Sequence, residues 1–396
     1  MSWQTVRLGD IATFSNGVNF GKEAYGAGVK LIGVSDFGDK YYPDYSTLSE
    51  VIPDVVHDRA LLKPGDIVFV RSNGNKALVG RCMLLTDECE SVTFSGFCIR
   101  ARLNDTSRWS PRFFTYYFKS AGFRKSISSS TAGTNIQNLN QGILSSHTAK
   151  VPDYETQCRI ADILDQYSNL IENNRRQIAL LEEAAQRLYR EWFVDLRFPG
   201  YESTGISEGL PNGWTEAMLK DIADVVMGQS PKSEYYNNTG EGLPFHQGVS
   251  SFGLRFVRDE TYTTSVTRIG KAGSILFSVR APVGRLNYTK NEIVLGRGLA
   301  AMNHRQGLQS YLYYMLKERF FKEDMIGNGS IFSSISKGDL LAQKFVVPDG
   351  AIAERFNTLC RPIDKQIERC DDAIKSATEA RDRLLPKLMS GEIEAL

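Results

Sequence analysis

The chain contains an internal duplication: residues 133–188 resemble residues 329–384 at a constant offset of 196 residues, without a gap. The Val-Pro-Asp tripeptide at 151–153, for example, recurs at 347–349. A long duplication in fixed register predicts two similar structural units. A protein with two similar units usually contacts two similar partners, or two similar parts of one partner. We therefore expect two similar binding surfaces.

The openings of the two copies also match, but the offset between them changes along the chain. It falls from 211 to 208, 204 and finally 196 residues, so the length differences lie between the matching blocks. Such positions are loops, where a scaffold can vary what it presents. We therefore expect two similar frames that carry two different recognition surfaces. The matching blocks are 8–12 with 219–223, 63–69 with 271–277, and 79–81 with 283–285.

Short stretches rich in Val, Ile and Phe and bounded by Gly and Pro predict strands in both copies. The predicted strands lie at 65–70, 91–99, 273–279 and 292–300, and the predicted helices at 111–119 and 308–321. We predict an α+β fold of two tandem α/β domains, residues 1–152 and 214–348. Turn-forming residues at 198–213 indicate the linker between the copies.

The two remaining segments, 153–197 and 349–396, carry apolar residues at heptad spacing. A 3.5-residue period over about five heptads indicates a coiled coil rather than a core helix. Two such helices in one chain can pair antiparallel, and about 40 residues would span roughly 60 Å. The positions predicted to pair are Leu164, Ile171, Asn174, Ile178, Leu181 and Leu188 in the first helix and Ile367, Ile374, Leu384 and Leu388 in the second.

Prolines and polar residues interrupt these heptads. Pro362 and Pro386 are expected to break or cap the second helix, which would make its regular part shorter than the first. Asn174 in the seam could fix the register of the pair. Arg381 could fix the alignment in the same way, or it could extend from the edge of the seam into solvent.

The net charge of +1 conceals an alternation of charge along the chain. Residues 1–150 hold 17 Lys and Arg against 13 Asp and Glu, and residues 214–346 hold 16 against 12, so each block has a net charge of +4. Residues 151–213 hold 6 against 11 and residues 347–396 hold 8 against 10. The same polarity in both copies favours a polyanion as the partner of the two larger blocks.

Sequence motifs of catalysis are missing. The chain has no GxGxxG after a strand, no P-loop, no GxSxG and no Pro-Pro dipeptide of the kind that amino-methyltransferases carry. Pro152-Asp153 begins like a nuclease core, but Gln157 stands where a lysine belongs, so a strand end, a turn and a helix start explain it better. The cysteines and histidines show no metal-ligand spacing. We predict no catalytic and no metal-binding residue.

Polar segments recur at two places in each copy, after the strand predicted at 65–70 or 273–279 and before the long helix. Arg and Asn address guanine and adenine edges, Lys neutralises phosphate, and small polar residues allow close backbone approach. The residues predicted to contact DNA in the first copy are Arg71, Asn73, Asn75, Lys76, Thr134, Asn135 and Asn138. In the second copy, Arg280, Ser333 and Lys337 are predicted from these segments, Gln229 and Lys232 from a third polar segment at 228–232 whose counterpart at 16–22 is weak, and Arg297 from the turn at 296–298.

Taken together, these features resemble the specificity subunit of type I restriction–modification systems over nearly the whole chain. The resemblance rests on the doubled Trp…Leu-x-Asp-Ile-Ala opening, the Lys-x-Gly-x-Ile-x-Phe block, the Val-Gly-Arg turn and the Val-Pro-Asp entry to each long helix. The closing segment at 383–393 is also similar to the C-terminus of that family. Each motif alone is weak, but their order, repeated twice, is specific.

The resemblance implies two target recognition domains, 1–152 and 214–348, on a pair of antiparallel helices. Each domain would recognise one half of a split, asymmetric sequence in double-stranded DNA, and the helices would set the gap. Two adenine methyltransferase subunits that bind S-adenosylmethionine would dock on this chain, and motor–endonuclease subunits using Mg²⁺ and ATP would join them. The methyltransferase would flip the target adenine. No cofactor is then expected in this chain.

One departure from the family concerns the entry to the second long helix. The family commonly has Pro followed by Gln-x-x-Ile; the first copy keeps Gln157 and Ile160, whereas the second has Ala353 and Phe356. The second junction is therefore expected to pack differently from the first.

Two other classes of function remain open from the sequence. The chain could be a coiled-coil adaptor that joins protein partners without DNA, or an unrecognised DNA methyltransferase or nuclease. Steep salt dependence of DNA affinity would favour the specificity subunit over the adaptor. No apolar run approaches the roughly 18 residues of a membrane span, and Met1-Ser2-Trp3-Gln4 has no signal-peptide form, so we expect a cytoplasmic protein without membrane contact.

Overall fold

The computed structural model describes residues 3–38, 40–72, 78–86, 91–129, 138–320 and 334–395. The chain forms two compact units. Unit 1 comprises Met1–Leu170 and Ser376–Leu396, and unit 2 comprises Ile171–Lys375. Each unit thus contains one of the predicted domains together with parts of both long helices, and the predicted domain boundaries remain predictions.

The first repeat contains nine strands and four short helices before the first long helix, counted over the described residues. The strands are β1 (Gln4–Arg7), β2 (Ala12–Asn16), β3 (Tyr25–Ile32), β4 (Ser49–Val51), β5 (Ile67–Val70), β6 (Cys82–Leu84), β7 (Val92–Phe94), β8 (Cys98–Leu103) and β9 (Thr148–Val151). The helices are α1 (Leu8–Ile11), α2 (Pro111–Lys119), α3 (Ala121–Ser129), α4 (Gln141–Ser146) and the long α5 (Tyr154–Tyr189).

The second repeat follows a small hairpin, β10 (Ile206–Ser207) and β11 (Leu210–Pro211). Its further strands are β12 (Thr215–Met218), β13 (Ala223–Met227), β14 (Tyr236–Asn237), β15 (Leu243–His246), β16 (Tyr262–Thr263), β17 (Ile269–Gly270), β18 (Ile275–Ser278), β19 (Leu286–Tyr288), β20 (Ile293–Leu295), β21 (Leu299–His304) and β22 (Lys344–Val347). Its helices are α6 (Leu219–Ile222), α7 (Gln309–Phe320), α8 (Lys337–Leu341) and the long α9 (Gly350–Ser390).

Two sheets have the same topology in both repeats, whereas the third has three strands in the first repeat, β4-β3-β7, and five in the second, β14-β16-β15-β20-β17. A four-stranded sheet of order β2-β8-β5-β6 in the first repeat corresponds to β13-β21-β18-β19 in the second. In both, the first strand pairs antiparallel with the last, as β1 with β9 and β12 with β22. The parallel pairing of β3 with β7 recurs as β15 with β20. The sequence duplication is therefore a duplication of fold, which confirms the predicted pair of α/β domains.

Some predicted strands are divided by a turn. The stretch predicted at 91–99 forms β7 and β8, and the stretch predicted at 292–300 forms β20 and β21. The prediction merges each pair across its turn residues, Ser95-Gly96 in the first stretch and Gly296-Arg297-Gly298 in the second. Helix α2, in contrast, has the predicted bounds because Ser110 caps its N-terminus and Pro111 occupies its first position.

Both long helices begin where the Val-Pro-Asp motif predicts. Strand β9 ends at Val151 and α5 follows after Asp153, whose Oδ1 accepts a hydrogen bond from the Thr156 amide at 2.9 Å. This hydrogen bond holds the pKa of Asp153 below its usual range. In the second repeat, Asp349 accepts from the Ala351 amide at 2.9 Å. The motif is a strand end and a helix cap.

The two long helices pack against each other antiparallel within unit 2. The Cys370 thiol of α9 donates to Gln177 Oε1 of α5 at 3.2 Å, whereas the rings of Tyr189 and Phe356 lie 5.8 Å apart. Advancing along α5 thus moves backward along α9. The buried helix-pairing positions are Leu164, Ile171, Ile178, Ile367 and Leu388, and the half-buried ones are Asn174, Leu181, Leu188, Ile374 and Leu384.

The expectation that proline would shorten the second helix is wrong. Helix α9 has 41 residues against 36 in α5 and runs through both Pro362 and Pro386. Both prolines lie on the exposed face. Solvent can hydrate the carbonyl oxygens that each proline leaves without an amide partner, and the packed opposite face keeps the helix continuous.

Arg381 lies inside unit 1 rather than at a solvent-exposed edge. It is 9% exposed, and its guanidinium carbon lies 5.1 Å from the centroid of the Tyr41 ring. Its Nε also donates to Asp382 at 3.0 Å. Of the two interpretations of this residue, the structure therefore favours an alignment role, because the side chain joins α9 to the domain core.

Candidate nucleic-acid interface

Four short segments of unit 1 meet beyond the carboxyl end of β5. They are residues 17–18, 71–72, 95–97 and 138–139, which we call the unit-1 cluster. Unit 2 brings together the corresponding residues 228–230, 279–280, 296–298 and 334–335, which we call the unit-2 cluster. Segments that are distant in sequence thus form one surface in each repeat.

Backbone hydrogen bonds hold the unit-1 cluster together. Ser72 and Asn138 form an isolated antiparallel bridge, and the Leu139 amide donates to the Arg71 carbonyl at 2.8 Å. The Arg71 amide donates to the Phe97 carbonyl at 2.8 Å. The Arg71 guanidinium donates through Nη1 to the Gly96 carbonyl at 3.3 Å. The backbone and the guanidinium of this half-buried residue are therefore both fixed at the turn between β7 and β8.

The same bonds recur in the unit-2 cluster. Arg280 and Ser334 form the bridge, and the Ile335 amide donates to the Val279 carbonyl at 2.9 Å. The Val279 amide donates to the Gly298 carbonyl, also at 2.9 Å. The two polar segments predicted separately in each copy are thus adjacent, and the frame that joins them is duplicated.

A glycine at the end of the first sheet strand makes this convergence possible. A Cβ atom on Gly17 would lie 2.3 Å from the carbonyl oxygens of Phe94 and Ser95. At the matching Gly228, a Cβ atom would lie 2.1 Å from the Gly296 oxygen. No side chain fits at these distances. The sequence match between these glycines therefore reflects a close approach of two backbones.

The unit-2 cluster and the residues next to it expose several cationic and polar side chains: Gln229, Lys232, Arg280, Arg297 and Lys337. Arg280, Arg297 and Lys337 make no side-chain ion pair or hydrogen bond with any residue of the described ranges. Lys232 has a long contact of 3.8 Å with Glu234. Cations held on a rigid frame without an acidic partner suit the binding of a polyanion.

Not every predicted contact residue can be placed. Asn73, Asn75, Lys76, Thr134, Asn135 and Ser333 lie outside the described residues. Arg71 and Asn138 lie in the unit-1 cluster; Gln229, Arg280 and Arg297 lie in the unit-2 cluster, with Lys232 and Lys337 two residues beyond its segments. These placements leave the assignment of DNA contacts a prediction.

Sequence reasoning missed Phe97, whose side chain is 56% exposed in the turn of the unit-1 cluster. The sequence predicts one strand over 91–99, and a phenylalanine in a strand carries no sign of exposure. The adjacent Ser95-Gly96 dipeptide was the available signal, because such pairs mark turns.

A buried cation attaches the second domain to both long helices within unit 2. Arg255 is 1% exposed and forms ion pairs of 3.0 Å with Glu182 of α5 and 2.7 Å with Asp364 of α9. Burial opposes ionisation of Glu182, but Arg255 and Lys317 together hold its pKa below its usual range. At Asp364, burial outweighs Arg255 and raises the pKa of the carboxyl.

The junction between domain and helix differs between the repeats, as expected from the missing Gln-x-x-Ile signature. Gln157 Oε1 accepts from the Ser110 amide at 2.9 Å, and its Nε2 donates to the Pro152 carbonyl at 3.0 Å. In the second repeat, Asn357 Oδ1 accepts from the Ser310 amide at 3.0 Å. In the second repeat, the side-chain amide that accepts the hydrogen bond thus lies one turn further along the long helix. It satisfies the backbone N–H at the start of α7.

The chain is similar to known proteins over most of its length. The chain matches the family described as the type I restriction modification DNA specificity domain over residues 1–183 and 211–369. A protein named as the specificity subunit of the type I restriction enzyme MjaX from Methanocaldococcus jannaschii is 29% identical over 342 residues, covering 83% of this chain and 78% of that protein. The MjaIX specificity subunit of the same organism is 24% identical, covering 70% and 68%.

A solved structure has the same fold. It is the type I restriction–modification S subunit from M. genitalium, which is 16% identical and gives a TM-score of 0.58 over 98% of this chain and 96% of that one. None of the helices in the described part of our chain is long and apolar enough to cross a membrane. The family match, which covers both repeats, establishes that the chain belongs to the type I restriction–modification DNA specificity family and acts as a non-catalytic, DNA-recognition specificity subunit.

Proposed function

We propose that the unit-1 and unit-2 clusters are the two DNA-contacting surfaces and that each recognises one half of a bipartite site. The observation that carries this proposal is the duplicated frame: the same backbone bonds join equivalent segments in both repeats. The frames agree while the side chains differ, with Ser72 and Asn138 in one bridge and Arg280 and Ser334 in the other. Two unlike surfaces suit an asymmetric site rather than a palindrome.

The partners follow from the same organisation. Two repeats offer two equivalent places for adenine methyltransferase subunits, and the motor–endonuclease subunits would join through them. S-adenosylmethionine, Mg²⁺ and ATP would then be bound by those partners and not by this chain. The relatives are named as subunits of type I restriction enzymes, which supports an assembly of this kind. The complex would work in the cytoplasm, where its DNA substrate lies.

The long helices would serve as the spacer that sets the distance between half-sites. Their packed seam supports this role, because Ile178, Ile367 and Cys370 form a common apolar cluster in unit 2. A regular antiparallel pair is stiff along its axis, whereas a flexible linker would accept several spacings. We expect recognition of one spacer length.

The test uses the complex with its methyltransferase subunits. The DNA is a duplex that contains the bipartite sequence found methylated in the genome of the host. The double variant Arg280→Ala with Lys337→Ala should weaken binding, and each lost phosphate contact should reduce the slope of log affinity against log salt by about 0.9. The matched control is Lys344→Ala, an exposed lysine on β22 that pairs with Glu216 at 3.1 Å. This control should keep the wild-type slope.

Two outcomes contradict the proposal in different ways. An unchanged salt slope in the double variant would remove these cations from the DNA surface. A wild-type complex whose affinity for DNA does not depend on salt would instead show that cation–phosphate contacts contribute nothing to binding at either cluster.

A further inference from the structure

The turn that connects the two sheets has the same length in both repeats. It exposes an apolar side chain in the first repeat and a cationic one in the second. Three residues join β7 to β8, with Phe97 in third position, and three join β20 to β21, with Arg297 in second position. Both side chains are exposed. Within each unit, this turn lies beside the bridge that joins the other two segments of its cluster.

Hydrogen bonds to neighbouring residues of each cluster hold the backbone of both turns. The Phe97 carbonyl accepts from the Arg71 amide at 2.8 Å, and the Phe97 amide donates to the Ser95 hydroxyl at 3.3 Å. In unit 2, the Arg297 amide donates to the Ser230 hydroxyl at 3.1 Å. A side chain on such a turn is presented in a preorganised position and loses little backbone entropy on binding.

Packing does not explain the phenylalanine. Phe97 is 56% exposed and, over the described part of the chain, belongs to no hydrophobic cluster and no ring pair. Its carbonyl accepts backbone hydrogen bonds from the polar residues Arg71 and Ser72, and Ser72 is bridged to Asn138. An exposed apolar ring next to polar residues suits a ligand with an apolar group among polar ones. In the major groove of DNA, that group is the C5-methyl of thymine.

We propose that Phe97 contacts the methyl group of a thymine in one half-site and that Arg297 donates to the O6 and N7 acceptors of a guanine in the other. The inference rests on the proposed role of the two clusters and adds the base type that each turn selects. Among the described residues, the Arg297 side chain makes no hydrogen bond or ion pair, so both arms of its guanidinium are available for a bidentate contact. The two half-sites would then differ because the turns differ.

The unit-1 arm of the test measures the affinity of the methyltransferase complex for duplexes in which each thymine of the site is replaced, one at a time, by deoxyuridine. One replacement should weaken wild-type binding about four-fold, the effect of one buried methyl group. Phe97→Ala should lose affinity and respond equally to that duplex and the parent, while Phe97→Leu should keep part of the response. Both variants should leave the salt slope unchanged, because no charge is altered.

The control for this arm is Ile52→Ala, which removes another exposed apolar side chain of unit 1. It should bind as wild type does. If Phe97→Ala distinguishes thymine from deoxyuridine as the wild type does, or binds every duplex with unchanged affinity, the thymine contact is overturned. Thermal melting of each variant and its binding to the methyltransferase identify any variant that fails to fold, and Phe97→Leu then carries the comparison.

The unit-2 arm replaces each guanine by 7-deazaguanine, which lacks the N7 acceptor. One replacement should weaken wild-type binding by about five-fold or more and leave Arg297→Ala unaffected. Equal sensitivity of both proteins overturns the guanine contact. If Arg280→Ala with Lys337→Ala weakens binding while both Phe97 and Arg297 variants bind normally, the inference fails and the proposed function stands. If none of these changes affects binding, the proposed surfaces themselves are wrong.

Discussion

The guanidinium carbon of Arg255 lies 3.4 Å from the centroid of the Tyr313 ring, inside unit 2. Tyr288 and Tyr314 surround the same cation at 4.9 and 5.4 Å, and Glu182 and Asp364 neutralise it. The aromatic faces and the two carboxylates together hold a fully desolvated charge. This residue of the second domain is therefore tied to α5 and α9 at once.

Replacement of this cation should destabilise unit 2. Arg255→Met leaves the half-buried Asp364 without its cation, whereas Glu182 keeps its 2.7 Å pair with Lys317. Removing one partner of a buried ion pair costs roughly 3–5 kcal/mol, and we expect a loss of this size in the free energy of unfolding measured by urea denaturation. The double variant Arg255→Met with Asp364→Asn should recover part of the loss.

Arg258→Met provides the control for this prediction. Its side chain is exposed and lies 3.7 Å from Glu260, so its removal should change the free energy of unfolding by less than about 1 kcal/mol. Equal losses at Arg255 and Arg258, or no recovery in the double variant, would contradict the role assigned to the buried cluster.

A buried ion pair in unit 1 has a neutral counterpart in unit 2. Arg102 donates to both oxygens of Asp66 at 2.7 and 2.6 Å. At the equivalent positions, Asn303 Nδ2 donates to the Ser274 hydroxyl at 2.9 Å. The two repeats therefore use alternative partners for the same contact, which joins the residue before β5 to β8 in the first repeat and the residue before β18 to β21 in the second.

This equivalence predicts a strong coupling between the two positions. Arg102→Asn alone leaves Asp66, whose side chain is 1% exposed, without its cation and should cost about 3 kcal/mol of unfolding free energy. Asp66→Ser together with Arg102→Asn installs the pair of the second repeat and should be more stable than Arg102→Asn alone by about 2 kcal/mol. Losses that simply add in denaturation experiments would disprove the coupling.

The elements that the two repeats share could be predicted from the sequence because their motifs occur twice. Trp3 and Trp214, the Val-Pro-Asp helix starts and the heptads each depend on local propensity or on a short period. The loop clusters could be predicted only in part. Their polarity was visible at Arg71 and Arg280, but the bridges that join them to Asn138 and Ser334 are long-range contacts that no local pattern encodes.

The remaining errors have particular physical causes. Pro362 was expected to break α9, but local propensity is outweighed where the opposite face of the helix is packed. The Arg255 cluster could not be predicted because its partners Glu182 and Asp364 lie on heptad helices, where an acidic residue normally faces solvent. Phe97 was assigned to a strand interior because the strand boundary was not recognised.

The backbone of Gly296 lies so close to Gly228 that we expect no side chain to be tolerated at position 228. Gly228→Ala would place Cβ 2.1 Å from the Gly296 oxygen and should cost about 2 kcal/mol or more of unfolding free energy, because one of two backbones must move. The same shift displaces the turn that carries Arg297, so affinity for DNA should fall as well.

Gly350→Ala is the matched control, because Gly350 begins α9 and a Cβ atom there meets nothing within 4 Å. It should leave stability within about 1 kcal/mol of the wild type. A Gly228→Ala protein that is as stable as the control would show that the two backbones separate at little cost.

Burial of His304 predicts a specific dependence of stability on pH. Desolvation lowers the pKa of this imidazole from 6.5 to about 4, and its Nδ1 accepts a hydrogen bond from the Gln306 amide at 3.1 Å. Because the unfolded chain binds the proton more readily than the folded one, the stabilisation is complete above pH 6.5. It falls between pH 6.5 and pH 4, by up to roughly 3 kcal/mol.

His304→Asn keeps an acceptor for the Gln306 amide but removes the titrating group. All other titratable groups, including the half-buried His147, are present in both proteins, so the difference between wild type and variant isolates His304. Urea denaturation at pH 7 and pH 4.5 should show the wild type losing about 2–3 kcal/mol more than the variant. Parallel losses in the two proteins would mean that the folded protein accepts a charged imidazole at this position, and that water reaches it.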